Sequence, residues 1–291
     1  MQRMSRIWHY IDKLTMQLST SAVCALPHRL RAKTERKSRQ GKLTRRFVNN
    51  QVYSRPANRL LSTLAAEDYA QLAPHLRTVK MELGAVVGYG LDGNNFAYFP
   101  TTSVISLICD MENGATAEVA LAGNDGLIGT SLFLGGNTAT NRAIVGISGE
   151  ALRLDARVLK DQFARCYPFQ RILLRYTEAL ISQISLTAAC NRIHKLEKRL
   201  CRWLLLIHDR AASDEFIMTQ EFMANMLGGR RETVTVAAGH LQDAGLIHYT
   251  RGHLKIIDRA GLENSVCECY RPVANSEQGE RTVRSFKYVT V

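Results

Sequence analysis

No stretch of this 291-residue chain approaches the ~20 consecutive apolar residues that a membrane-crossing helix needs; the longest unbroken apolar run in a helical stretch is Trp203-Leu204-Leu205-Leu206-Ile207. A secretory leader is not expected, because the N-terminus is basic but lacks an apolar segment of the required kind. Cysteine is scattered. The seven residues at 24, 109, 166, 190, 201, 267 and 269 are odd in number and share no spacing, which excludes a disulfide framework and any Cys-x-x-Cys zinc pair. Cys267-Glu268-Cys269 stands too isolated for a tetrahedral site and reads as free thiols in a C-terminal tail. No metal and no cofactor are therefore expected, and a reducing cytoplasm is the expected compartment. Enzyme signatures are also missing. There is no Gly-x-x-x-x-Gly-Lys-Ser/Thr phosphate loop and no His-Glu-x-x-His pair. The eight histidines are dispersed, and His194 and His208 read as helix residues that pack or face water. A hydrolase or transferase on an unrecognised fold would need paired titratable groups, and the pattern offers none.

Acidic residues are nearly absent from the first 54 positions, which hold 12 Lys/Arg against 2 Asp/Glu. The remainder holds 26 against 24, so the formal net charge of +12 belongs almost wholly to an N-terminal arm. That arm reads as a poorly ordered basic tail, as upstream sequence from a misassigned start (Met4 and Met16 are the alternatives), or as a nonspecific DNA-binding arm acting by counterion release. Any nucleic-acid surface in the rest must be a local patch. With 46% apolar and 22% charged residues, that rest can bury a core, and its length suits two modest domains.

Periodicity divides the chain. From Pro56, Leu60, Leu61, Leu64, Ala65, Tyr69, Leu72 and Leu76 fall near a 3.6-residue spacing and predict a helix. From Val79 to about Ala156, short β-rich runs alternate with turns such as Asp92-Gly93-Asn94-Asn95, Glu112-Asn113-Gly114, Gly123-Asn124-Asp125-Gly126 and Gly135-Gly136-Asn137. This pattern predicts an antiparallel barrel or roll. Pro168 then opens a long helix without Gly or Pro to about Asn191. It carries one apolar stripe through Phe169, Leu173, Tyr176 and Leu180 and a second through Leu174, Ile181, Ile184 and Ala188. A helix apolar on two sides needs two things to pack on. We assign one stripe to the β-domain and the other to the same helix of a partner, giving a twofold dimer. A helix over Lys195–Arg210 follows.

The sharpest pattern lies at 219–257. Thr219 precedes Gln220-Glu221-Phe222 as a capped helix start. Gly228-Gly229 breaks that helix, and a second runs from Arg230 or Arg231 to Ala244 with Val234, Ala237, Ala238 and Leu241 inward. Gly245 ends it. This is a helix-turn-helix pattern. In that motif the second helix reads base edges from its first turn, here Arg231-Glu232-Thr233, flanked by Arg230 and Thr235. Arg suits guanine, Glu accepts from cytosine, and Thr reaches a phosphate or a thymine methyl. The alternating run Leu246–Ile257 around Arg251-Gly252 predicts a hairpin wing with Arg251, His253 and Lys255 available to phosphates.

The segments Thr219-Gln220-Glu221, Leu227-Gly228-Gly229-Arg230-Arg231-Glu232-Thr233-Val234, Leu241-Gln242-Asp243-Ala244-Gly245-Leu246-Ile247 and Arg251-Gly252 together resemble the DNA-binding domain of the Crp/Fnr regulators, the cyclic-AMP receptor protein superfamily. The β-rich region and the long helix match that family's effector domain and dimer helix. The resemblance covers about 57–264. It implies an α+β fold: an antiparallel β-roll (a cyclic-nucleotide-binding-like jelly roll), a long dimerisation helix and a C-terminal winged helix-turn-helix. The corresponding bounds are 1–54 tail, 55–165 effector domain, 166–192 dimerisation helix, 193–264 winged helix-turn-helix and 265–291 tail. Implied partners are double-stranded DNA, a second copy of the chain, RNA polymerase and a small effector, with no membrane. Gln220 becomes a phosphate contact by the same resemblance.

Three departures from the family pattern stand out. Val236 occupies the place of a further DNA-contacting Arg, and Gly229 makes the turn unusually flexible. Cyclic-nucleotide binders use Gly-Glu-x-Gly and, some ten residues on, Arg-Ser; the matching segments are Gly126-Leu127-Ile128-Gly129 and Asn141-Arg142-Ala143. Leu127 cannot accept hydrogen bonds from a ribose hydroxyl, so retention of cyclic AMP is not expected. Gly126, Gly129, Asn141 and Arg142 are left as the effector candidates, with simple turn glycines as the alternative for the first two. The iron–sulfur cluster of the fumarate-nitrate branch is rejected, since only Cys24 lies near the N-terminus. The competing function is a ligand-sensing module whose winged helix binds protein rather than DNA.

Overall fold

A computed structural model describes residues 56–88, 95–135, 141–211 and 213–271. The basic arm 1–54, the turn residues at 92–94 and 136–137, and the chain after 271 lie outside the described residues.

The region expected to hold one N-terminal helix is divided into α1 (Arg59–Ser62), α2 (Ala66–Leu72) and a 3-10 turn at Ala73–His75. Side-chain chemistry causes the breaks. The hydroxyls of Ser62 and Thr63 donate back to the carbonyls of Arg59 and Leu60, and Pro74 cannot continue an α-helix. Asn58 caps α1 by accepting from Leu61 N, and its amide donates to Pro100 O and Gly126 O at 2.8 and 3.0 Å. This fully buried side chain ties the helix to two loops of the roll.

The roll is two antiparallel sheets. One has the order β1 (Arg77–Met81), β7 (Gly149–Asp155), β3 (Phe96–Pro100). The other has the order β2 (Val86–Val87), β6 (Arg142–Ile147), β4 (Val104–Asp110), β5 (Thr116–Ala122). Met81, Val87, Ile105, Ala122, Ile128, Val145 and Ala151 form a core in the roll. Strand alternation sends Ile105 into that core, while Val104 and Ile108 join the core of the C-terminal domain. The sheet of β4 and β5 is therefore covered on both faces. Two helices that periodicity did not reveal, α3 (Ser131–Leu134) and α4 (Ala156–Arg165), complete this half. Asp155 caps α4 by accepting from Arg157 N at 2.7 Å.

The long helix α5 runs Tyr167–Ile193, with Pro168 in its first turn as expected. Phe169, Leu173, Tyr176 and Leu180 are buried among Phe99, Leu127, Leu154 and Leu159. Ile184 of the second stripe also packs here, whereas Leu174, Ile181 and Ala188 stay exposed at seven-residue intervals.

After α5 come α6 (Leu196–His208), β8 (Glu215–Ile217), α7 (Gln220–Leu227), α8 (Arg231–Asp243), β9 (Ile247–Thr250), β10 (His253–Ile256) and α9 (Arg259–Ser265). The wing is three-stranded, in the order β8-β10-β9; the short β8 carried no sequence signal.

The segment after α9 also departs from expectation. Cys267 and Cys269 do not sit in a loose tail, for both are buried, as is Tyr270. Tyr270 Oη donates to Asp209, which also holds Arg259 Nη2 at 2.6 Å. This anchor turns the segment after α9 back onto α5, where Cys190 Sγ lies 3.6 Å from Cys267 Sγ.

Candidate nucleic-acid interface

The helix-turn-helix is built from local signals. Thr219 Oγ1 accepts from Phe222 N at 3.0 Å and caps α7. Gly228 ends that helix at φ +59°, a left-handed conformation that favours glycine. Gly229 is not a point of looseness. A Cβ there would stand 3.3 Å from Leu196 of α6, so its missing side chain permits a close approach. Arg199 of α6 donates to Leu227 O and ties down the last turn of α7. Past α8, Gly245 N donates to Gln242 O and Leu246 N to Leu241 O, the paired bonds of a Schellman ending.

Val234, Ala237, Ala238 and Leu241 are buried against the core that includes Met223, Leu227 and Leu204. Burying that face leaves Arg231, Glu232, Thr233 and Thr235 exposed at the start of α8, with Arg230 extended before it. The open N–H groups of this helix start add a positive dipole end to two guanidinium groups. Thr235 Oγ1 lies 2.9 Å from Gln220 Oε1 and donates to it or to Arg231 O, which joins the starts of the two helices. Val236 is also exposed.

Arg251 and Gly252 turn the β9–β10 hairpin, both at positive φ, 47° and 84°. A two-residue turn of this kind matches the twist of its strands. Arg251 and His253 are exposed. Lys255 is exposed on the wing as well. Its Nζ pairs with Glu215 of β8 at 2.6 Å, which offsets its charge locally.

Each of the four effector candidates has close neighbours within the protein. A Cβ on Gly126 would meet the Tyr176 ring at 2.5 Å, and Tyr176 Oη donates to Leu127 O at 2.9 Å. Leu127 is core. Gly129, at φ +112°, packs closely on Leu132 and Ala97. These glycines are filled from the protein side. Asn141 Oδ1 accepts from Cys109 Sγ, and Arg142 is held in a fork by both oxygens of Asp110.

Sequence reasoning missed Glu118, although a lone carboxylate in Thr116-Ala-Glu-Val-Ala-Leu-Ala122 is a visible signal. It is buried on β5 behind the helix-turn-helix, and burial pushes its carboxyl up to about 7 against the favourable pull of Ser106, Trp203, Arg202 and Arg210. Arg210, equally buried, pairs with Asp125 of the roll at 2.9 Å.

Residues 198–265 match the Crp-like helix-turn-helix domain. This chain has the fold of the Crp/Fnr transcription regulators. A protein assigned to the Crp/Fnr family from Eubacterium rectale superposes with a TM-score of 0.56 at 17% identity, over 74% of this chain and 99% of that one. FixK2 from Bradyrhizobium japonicum gives 0.56 at 15% identity, over 66% and 98%. A CRP/FNR-family transcriptional regulator from Thermus thermophilus gives 0.52 at 21% identity, over 65% and 97%. No curated protein sequence matches the chain. Among the described residues no helix is long and apolar enough to cross a membrane.

Proposed function

We propose that this Crp/Fnr-fold chain is a transcription regulator that binds double-stranded DNA, reading a pseudo-palindromic site as a homodimer. The carrying observation is the exposed first turn Arg231-Glu232-Thr233 on a helix whose opposite face is buried. Arg231 and Glu232 read base edges, Thr233, Thr235 and Arg230 position the helix on the backbone, and Gln220 supports Thr235 and meets a phosphate. Arg251 and His253 at the wing tip add backbone contacts. Lys255 contributes less, because Glu215 already holds it.

Dimerisation rests on the stripe Leu174, Ile181 and Ala188, which one protomer leaves in water. Two copies paired along it place two α8 helices on successive major grooves, ~34 Å apart. Packing fills Gly126 and Gly129, so an effector of the roll would sit elsewhere than a cyclic nucleotide's ribose. RNA polymerase is the partner through which bound DNA would be read out.

The experiment is selection from a random DNA pool followed by gel shift. A pseudo-palindromic consensus is expected, and Arg231→Ala is expected to cost ~1–3 kcal/mol on it and to relax one position. An unchanged consensus bound with equal affinity by the variant ends the base-reading assignment. No duplex binding at low salt, together with a stable protein partner, would establish the competing reading, to which Val236 lends its one support.

A further inference from the structure

Three of the six described cysteines and one histidine meet where the long helix gives way to the winged domain. Cys190 lies in the last turn of α5, and His194, four residues on, is the residue that ends it. Cys267 and Cys269 come from the segment after α9 that folds back beneath Tyr270. One ligand atom from each of the four lies within 4.8 Å of all the others. Cys190 Sγ is 3.6 Å from Cys267 Sγ, and Cys269 Sγ is 3.7 Å from His194 Nδ1. The three thiols are buried.

These two separations match edges of a tetrahedron of zinc ligands, and the remaining ones lie within 4.8 Å. Bonds of about 2.3 Å to sulfur and about 2.0–2.1 Å to imidazole nitrogen give S–S edges of about 3.8 Å and S–N edges of about 3.6 Å. A disulfide needs its sulfurs at about 2.05 Å, well inside the observed separation. Four donors this close enclose one ion, whereas a cluster of several irons needs its thiolates spread around it.

The surroundings suit a bound cation. Three thiolates and a neutral imidazole around Zn2+ carry one net negative charge. Arg202 is buried beside them, donating from Nε to Cys269 O and from Nη2 to Thr187 Oγ1, both at 3.3 Å. His194 turns Nδ1 inward and sets Nε2 3.3 Å from the Glu268 carboxylate, as an imidazole does when a carboxylate orients it on a metal. Buried free cysteines often serve only as small apolar side chains, but that role explains neither the inward imidazole nor the neighbouring guanidinium.

We propose that Cys190, His194, Cys267 and Cys269 bind a single Zn2+ ion in a tetrahedral Cys3His site. All four positions are filled by protein, which makes the site structural rather than catalytic. It staples the segment after α9 to the end of α5. On binding, the thiol S–H bonds break, three S–Zn bonds form and the protons go to solvent; nothing is oxidised or reduced. The site stands whether or not the helix-turn-helix reads DNA.

The test uses the full chain, reduced, loaded with zinc and dialysed. One zinc per chain is expected by elemental mass spectrometry. Cys267→Ser/Cys269→Ser should lose it, while Cys109→Ser, in the roll, should keep it. Cobalt(II) substitution of the unaltered protein should give thiolate-to-cobalt charge transfer and the strong visible bands of a tetrahedral ion. That spectrum needs no variant to fold. Zinc absent from the wild-type chain, zinc retained by the double variant, a weak octahedral cobalt spectrum, or a native Cys190–Cys267 disulfide in non-reduced peptide maps would each overturn the proposal.

Discussion

Trp203 donates its indole N–H to Glu118 Oε1 at 2.9 Å, across the seam between the β-roll and the helix-turn-helix. The carboxyl lies on β5 and the indole on α6, so this hydrogen bond, like the Arg210–Asp125 pair, joins the half that resembles an effector domain to the half that carries α8. The carboxyl is buried, and the pull of Ser106 and Trp203 does not offset the loss of water around it. Burial of that kind makes the charged form expensive.

The consequence is a defined pH dependence. In the unfolded chain this carboxyl ionises near 4.5, and in the folded protein it holds its proton up to about 7. Below 4.5 both states are protonated, and the group does not affect stability. Between 4.5 and about 7 only the unfolded chain gives up the proton, so stability falls as pH rises; above about 7 the loss is constant, at roughly 3 kcal/mol. Glu118→Gln keeps the shape and an acceptor for Trp203 without the titration. Chemical denaturation from pH 4.5 to 8 should show the variant gaining on the wild type through that window. Parallel curves would mean that Glu118 titrates normally.

Gly123 and Gly126, the second of them in the segment that resembles a nucleotide cradle, are predicted to act by packing. A methyl on Gly123 would stand 2.5 Å from Arg210 Cβ, and one on Gly126 would strike the Tyr176 ring at the same distance. Neither neighbour can swing aside cheaply, since Arg210 is held by Asp125 and Leu206 O, and Tyr176 by Leu127 O. Gly123→Ala and Gly126→Ala should each lower stability by ~1–3 kcal/mol, read as a lower denaturation midpoint with no ligand present. Wild-type stability in either variant would show that space remains beside that glycine.

The stripe proposed to pair two copies gives a cleaner separation of stability from assembly. Ile181 is 60% exposed in one protomer, so a charge there costs the monomer little. Ile181→Glu should shift sedimentation from dimer to monomer and weaken binding to a two-half-site DNA, while leaving the denaturation midpoint at low protein concentration nearly unchanged. A variant that remains dimeric would remove α5 from the interface.

What could be read in the sequence was what short-range chemistry determines. Thr219, Gly228, Gly245 and the Arg251-Gly252 turn each act within a few residues, and the helix-turn-helix with its wing followed from them. The double stripe of α5 was visible because a helix repeats its faces. Long-range pairings were hidden. Nothing near Cys267 announces Cys190, 77 residues away, and nothing near Asn58 announces Pro100 and Gly126. β8 is three residues long and takes its identity from β10, and its Glu215 pairs with Lys255, 40 residues away.

That last pair sets up a contrast between two cations of the wing. Arg251 stands exposed at the hairpin tip, at φ 47°, and Lys255 is two residues beyond His253 with its Nζ 2.6 Å from Glu215. Each phosphate neutralised on duplex DNA steepens the plot of log affinity against log salt by about 0.9. If Arg251 meets a phosphate in each protomer, Arg251→Ala should flatten that slope by about 0.9 per protomer and weaken all sequences alike. Lys255→Ala should leave the slope almost unchanged, because the carboxylate already compensates the ammonium. Fluorescence anisotropy across a salt series reads both. Equal slopes for Arg251→Ala and wild type would place the wing tip away from the backbone, and a large change for Lys255→Ala would mean that the Glu215 pair opens on DNA.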